Sequence, residues 1–110
     1  MKKNYIAITT TTGLTIVKRS EIMYCLSDGA YAHIHLVGGR KMLVSKNLKE
    51  VTDSLNDDHF IRIHHSHLIN LEHTTKFINN GINCVIMSNG EELAVARNRK
   101  KEFLDLFTKL

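Results

Sequence analysis

The chain has 110 residues, 43% of them hydrophobic, and a formal charge of +4, which suits one domain built on one core over residues 1–110. No window approaches the roughly 18 consecutive apolar residues of a membrane-spanning helix. The start, Met1-Lys2-Lys3-Asn4-Tyr5, leads into alternating Ile and Thr rather than a secretory apolar block, so a soluble, unexported, cytoplasmic protein is expected.

In chain order, period-2 alternation comes first: Ile6 and Ile8, then Leu14 and Ile16, then Ile22, Tyr24 and Leu26. Thr12-Gly13 and Asp28-Gly29 separate these runs, which predicts short strands. From Tyr31 to Leu36 the parity puts Ala32, Ile34 and Leu36 on one face and Tyr31, His33 and His35 on the other, as in a half-buried strand. Gly38-Gly39 then supplies the positive φ values of a two-residue primed hairpin, with Arg40 to Val44 returning as its partner. Proline is absent, so turns fall to Gly, Asn and Asp.

Asn47-Leu48-Lys49-Glu50 reads as a helix start in which Asn47 caps and Glu50 reaches back. Leu48, Val51 and Leu55 follow at helical spacing, predicting an amphipathic helix over about 47–56. Next comes Phe60-Ile61-Arg62-Ile63-His64-His65-Ser66-His67-Leu68-Ile69-Asn70, two apolar strands around a tight polar excursion at 64–67. Asn80-Gly81 and Asn89-Gly90 bracket Ile82 to Met87 and predict a meander over 73–96. A final helix over about 99–109 would carry one apolar stripe of Phe103, Leu104, Phe107 and Leu110. Cys25 and Cys84 lie in apolar stretches without a metal or disulfide pattern and read as buried free thiols.

The positive charge is local. Of 15 Lys and Arg, four stand in Arg97-Asn98-Arg99-Lys100-Lys101, so the remaining 11 only match the 11 Asp and Glu. Cations in the first turn of a helix oppose its dipole by roughly 0.3–1 kcal/mol each when exposed. A phosphate bound by the free amides and the side chains would reverse that penalty. The polar excursion is a second candidate, since loops carried on rigid strands are where binding groups are placed; the plainer reading of His64 is a buried, hydrogen-bonded histidine.

Seven histidines raise a metal site, with His33 and His35 on one face and His64, His65 and His67 nearby. No Cys, Asp or Glu stands at zinc spacing around them, so no metal and no cofactor is expected. On a surface facing a polyanion, neutral histidines would gain charge at mildly acidic pH. No phosphate loop or nucleophile arrangement is present, and the chain is read as non-enzymatic. A β-rich RNA-binding module would need several exposed aromatics, for which Tyr31 is the one good candidate; a protein-interaction module is the other alternative.

Taken together, these elements resemble the LytTR family of bacterial DNA-binding domains over about residues 16–107. The segment from Phe60 to Asn70 is similar to the family signature Phe-x-Arg-x-His-Arg-Ser-Tyr-Leu-Val-Asn. Around it, in the right order, stand Ile22-Met23-Tyr24-Cys25-Leu26-Ser27-Asp28-Gly29-Ala30-Tyr31, the Asn47 helix start, and Leu93-Ala94-Val95-Ala96-Arg97-Asn98-Arg99. The resemblance implies a mostly β fold of small antiparallel sheets with two short helices, and loops that enter successive major grooves, commonly on direct repeats. It places base reading on His65, Arg97 and Tyr31, and backbone contacts on Ser66, Asn98, Arg99, Lys100, Lys46 and Asn47. It also implies a receiver or sensory domain acting in cis or in trans, and an oligomer that is weak or depends on DNA. In this chain His65 stands where Arg or Asn is usual, and His67 where Tyr or Phe is usual. One ring nitrogen offers a base a single hydrogen bond, where an Arg offers guanine two.

Overall fold

In the computed structural model, which describes residues 4–110, the first two alternating runs pair with each other. Residues 1–3, part of the segment expected to carry no secretory block, lie outside the described residues. Tyr5–Thr10 (β1) and Gly13–Lys18 (β2) form an antiparallel ribbon with Ile6 opposite Val17 and Ala7 opposite Ile16. Ile8 and Val17 point into the core, while Tyr5, Leu14 and Ile16 remain exposed on the other face.

Ile22–Asp28 (β3), Tyr31–Leu36 (β4) and Lys41–Val44 (β5) then lead to the helix Leu48–Leu55 (α1), followed by Phe60–His64 (β6) and His67–Asn70 (β7). These five strands make one antiparallel sheet in the order β5-β4-β3-β7-β6. Thr74–Asn79 (β8), Asn83–Met87 (β9) and Glu92–Ala94 (β10) make the expected meander, and Lys100–Leu104 (α2) follows. Gly38 and Gly39 both take φ 78°, as anticipated, but the turn is longer than two residues. Leu36 N–H bonds Arg40 O at 2.8 Å around a three-residue loop.

The central sheet is buried on both sides. One face, with Cys25, Ile34, Leu36 and Leu68, packs on α1 through Leu48, Val51 and Leu55 and on the ribbon through Ile8 and Val17. The other, with Tyr24, Ile63 and Ile69, packs on Val85, Met87, Leu93 and Phe103 of the meander and α2. Alternation put Ile22 with Tyr24, yet they enter opposite cores. A register irregularity between Ile22 and Tyr24 inserts an extra residue and turns the strand over.

Helix α1 has the expected boundaries. Asn47 Oδ1 accepts Glu50 N–H at 2.9 Å and Glu50 Oε1 accepts Asn47 N–H at 3.1 Å, while Asn56 closes the helix at φ 42°. The last helix is shorter than the expected 99–109. After Leu104 the chain tightens, with Leu106 N–H on Phe103 O and Phe107 N–H on Leu104 O at 3.2 and 3.3 Å. Phe103 is 2% exposed, but Phe107 is 42% exposed and meets the Phe103 ring in a T-shaped arrangement. Beyond Phe103 and Leu104 the stripe has no core to bury it, and an unpacked short helix is not self-supporting. Cys25 is buried as expected, and burial pushes its thiol up to about 12. Cys84 is only half-buried, because its side of β9 faces partly outward.

Candidate nucleic-acid interface

One end of the central sheet collects most of the residues singled out from sequence. Strands β6, β3 and β5 finish there, and β7 and β4 begin there. The β6–β7 hairpin closes with His64 paired to His67, leaving His65 and Ser66 as a two-residue tip. His65 is exposed and Ser66 half-buried. Two-residue hairpins favour turns with positive φ, yet Asn56 is the only non-glycine residue with positive φ among those described. The His65-Ser66 turn is therefore of the kind that splays its strands, and a register irregularity sits between Arg62 and His64.

Hydrogen bonds hold this tip in place. Ser66 N–H donates to His64 Nδ1 at 3.1 Å, and Ser27 N–H donates to Ser66 O at 3.0 Å. Arg62 Nε–H donates to His64 O at 3.2 Å and its Nη2 donates to His65 O. The His64 ring lies 4.3 Å from that of His65 and 4.6 Å from that of His67. His64 is thus a hydrogen-bonded histidine, though half-buried rather than fully enclosed.

The basic run is fastened to the same tip. Ala96 N–H bonds Ile63 O at 2.8 Å, His67 Nδ1 lies 2.9 Å from Ala94 O, and Arg99 Nη1 reaches Arg62 O at 3.4 Å. Residues Arg97–Arg99 form a 3-10 turn that leads into α2. Two of the amides at this turn are already used within it. Arg99 N–H is already bonded to Ala96 O at 2.9 Å and Lys100 N–H to Arg97 O, and a five-residue helix has little dipole to offer an anion. Side chains supply further groups for phosphate. Arg97 and Asn98 are exposed, Lys100 is half-buried with Nζ 3.3 Å from Asn79 Oδ1, and Arg99 turns inward toward Arg62.

Tyr31 opens β4, opposite Asp28 and 47% exposed. Lys46 and Asn47 follow the end of β5 and are exposed, but Asn47 Oδ1 is committed to capping α1. His33 and His35 share the outer face of β4 without converging. His33 Nε2 pairs with Asp28 at 2.9 Å, and His35 stacks on Tyr24 at 4.4 Å between ring centres. Among the described residues no three His, Cys, Asp or Glu side chains are grouped to hold one metal ion.

Two arginines and two further histidines surround the His64 ring. Burial first, then His67, His65, Arg62 and Arg99, hold the His64 imidazole below its ordinary value. Burial and then Arg99 also lower Arg62. His64 consequently stays neutral at neutral pH, with Nδ1 available as the acceptor that Ser66 needs. The sequence marked Arg62 as the arginine of the Phe60–Asn70 signature but gave it no role, since its place in an alternating strand does not show that its side chain folds back along its own hairpin.

A family model described as LytTr DNA-binding domain matches residues 12–108. A solved structure described as a LytTr DNA-binding domain from Bacillus cereus superposes with a TM-score of 0.79 at 24% identity, covering 94% of this chain and 96% of that one. No curated protein sequence gives a significant match.

Proposed function

The chain belongs to the LytTR family of DNA-binding domains, and on that premise we propose that it reads a specific duplex sequence through two loops at one end of its central sheet. His65 and Arg97 read base edges in adjacent major grooves, with Tyr31 as a third contact. Ser66, Asn98, Lys100 and Lys46 hold the sugar-phosphate backbone. Arg99 and Asn47 contribute through the atoms that their inward bond and helix cap leave over. The operator would be a pair of direct repeats. Two copies would meet weakly or only on DNA, and a receiver or sensory domain in cis or in trans would set occupancy in the cytoplasm. No helix among the described residues is long and apolar enough to cross a membrane.

One observation carries this reading. The exposed His65 tip and the exposed Arg97 turn, 32 positions apart in sequence, are tied by Ala96 N–H to Ile63 O and by His67 to Ala94 O. A fixed distance between two recognition groups is what reading two sites on a rigid duplex requires, and phosphate contacts alone would not need it. Binding should weaken steeply with salt, with a log–log slope matching roughly 4–6 neutralised phosphates. Titrating the purified protein with a duplex pool between low and moderate salt tests this, and salt-independent binding or no binding contradicts it.

A further inference from the structure

We infer that Arg62 is a positioning residue for DNA sequence specificity, a side chain that contacts no base but sets the backbone from which His65 projects. This rests on the reading that His65 recognises a base. The need arises from the turn itself. A two-residue hairpin without positive φ lacks the twist that normally closes such a loop, so its geometry must be imposed from outside.

Arg62 imposes it. The fork of its guanidinium holds two consecutive peptide oxygens, His64 O through Nε–H at 3.2 Å and His65 O through Nη2. With both oxygens fixed, the peptide planes on either side of the His65 Cα are fixed, and with them the direction of its Cα–Cβ bond. Arg62 is itself anchored at its main chain, where its own carbonyl accepts Arg99 Nη1 at 3.4 Å. The bridge therefore runs from the base-reading tip to the basic turn through one residue. A planar, rigid fork suits the task, whereas the single ammonium of a lysine keeps the charge but not the geometry.

The double-mutant cycle of Arg62→Lys and His65→Ala, read by binding to an operator selected from random duplexes and to its single-base variants, tests the inference. Arg62→Lys should lower the preference at the His65 base pair about fivefold while leaving the salt slope unchanged. In the His65→Ala background the same change should cost that base pair nothing more. If Arg62→Lys instead weakens binding to all duplexes alike, with no change of preference at the His65 base pair, Arg62 is a phosphate contact and the inference fails. If His65→Ala abolishes the preference but Arg62→Lys preserves it, the inference fails while the reading of His65 stands. If His65→Ala leaves the preference intact, it is the reading of His65 that fails, and the inference with it. A measurement on the unaltered protein covers the case in which the lysine variant does not fold. The Arg62 Nε–H should give a resolved proton resonance protected from solvent exchange, and rapid exchange would overturn the bridge.

Discussion

His67 Nδ1 lies 2.9 Å from the carbonyl oxygen of Ala94, joining the first residue of β7 to the last of β10. This bond ties the central sheet to the meander immediately beside both loops proposed to read bases. Where the family signature carries Tyr or Phe, the imidazole fills the position and supplies the donor for this bond. His67→Phe should keep the ring stack on His64 but lose the bond, at a cost of about 0.5–1.5 kcal/mol. Thermal unfolding would show the loss, and an unchanged midpoint would mean the bond contributes nothing net.

Arg97 and Lys100 should behave differently although they lie three residues apart. Arg97 is exposed and free to approach a guanine edge, so Arg97→Ala should cost about 1–3 kcal/mol and relax preference at one base pair. Lys100 leans on Asn79 and presents a point charge. Lys100→Ala should weaken all duplexes alike and lower the salt slope by about one. A change in preferred sequence from Lys100→Ala would show that the contacts are sorted wrongly.

Asn47 separates folding from binding. Its side chain caps α1, so Asn47→Ala should destabilise the protein by about 0.5–2 kcal/mol. Asn47→Asp keeps a cap acceptor and should restore stability, yet it places negative charge where the backbone would pass. Denaturant unfolding combined with DNA titration distinguishes the two effects. Full DNA affinity in Asn47→Asp would remove Asn47 from the interface.

Acid should loosen the tip. The His64 pKa is held below its ordinary 6.5, chiefly by burial and then by its cationic neighbours. With a depressed folded-state value the unfolded chain binds more protons, so the His64 contribution is fully present above about 6.5 and is lost as pH falls through the folded-state value. His35 is shifted the same way, by burial first and then by Lys41 and His33, and adds to the same trend. Protonation also removes the Nδ1 acceptor for Ser66 N–H. Imidazole proton titration by NMR would check this directly, and a His64 value at or above 6.5 in the free protein would contradict it.

Much of the fold could be read from sequence because its signals are local. Alternation located the strands, Asn47 and Glu50 marked the start of α1, and the Asn-Gly pairs marked the meander. Three features depended on tertiary context. The bulge that sends Ile22 and Tyr24 into opposite cores leaves no mark on an apolar run whose residues are all suited to burial. The early end of α2 reflects the absence of a surface to cover Phe107 and Leu110 rather than any breaker in the sequence. Likewise the bond from Arg62 to its own hairpin follows from an unfavourable turn, and a turn without Gly or Asn showed in the sequence only as four adjacent polar residues. The positions of His65 and Arg97 were legible; the hydrogen bonds that fix their separation were not.

Selecting bound sequences from a random duplex library, with the unaltered protein, His65→Ala and Arg97→Ala in parallel, tests the central claim most directly. The unaltered protein should enrich two copies of one short motif in the same orientation, and each variant should lose information at a different base pair of that motif. Enrichment of no motif, or the same motif from all three proteins, would contradict the assignment of base reading to the two fastened loops.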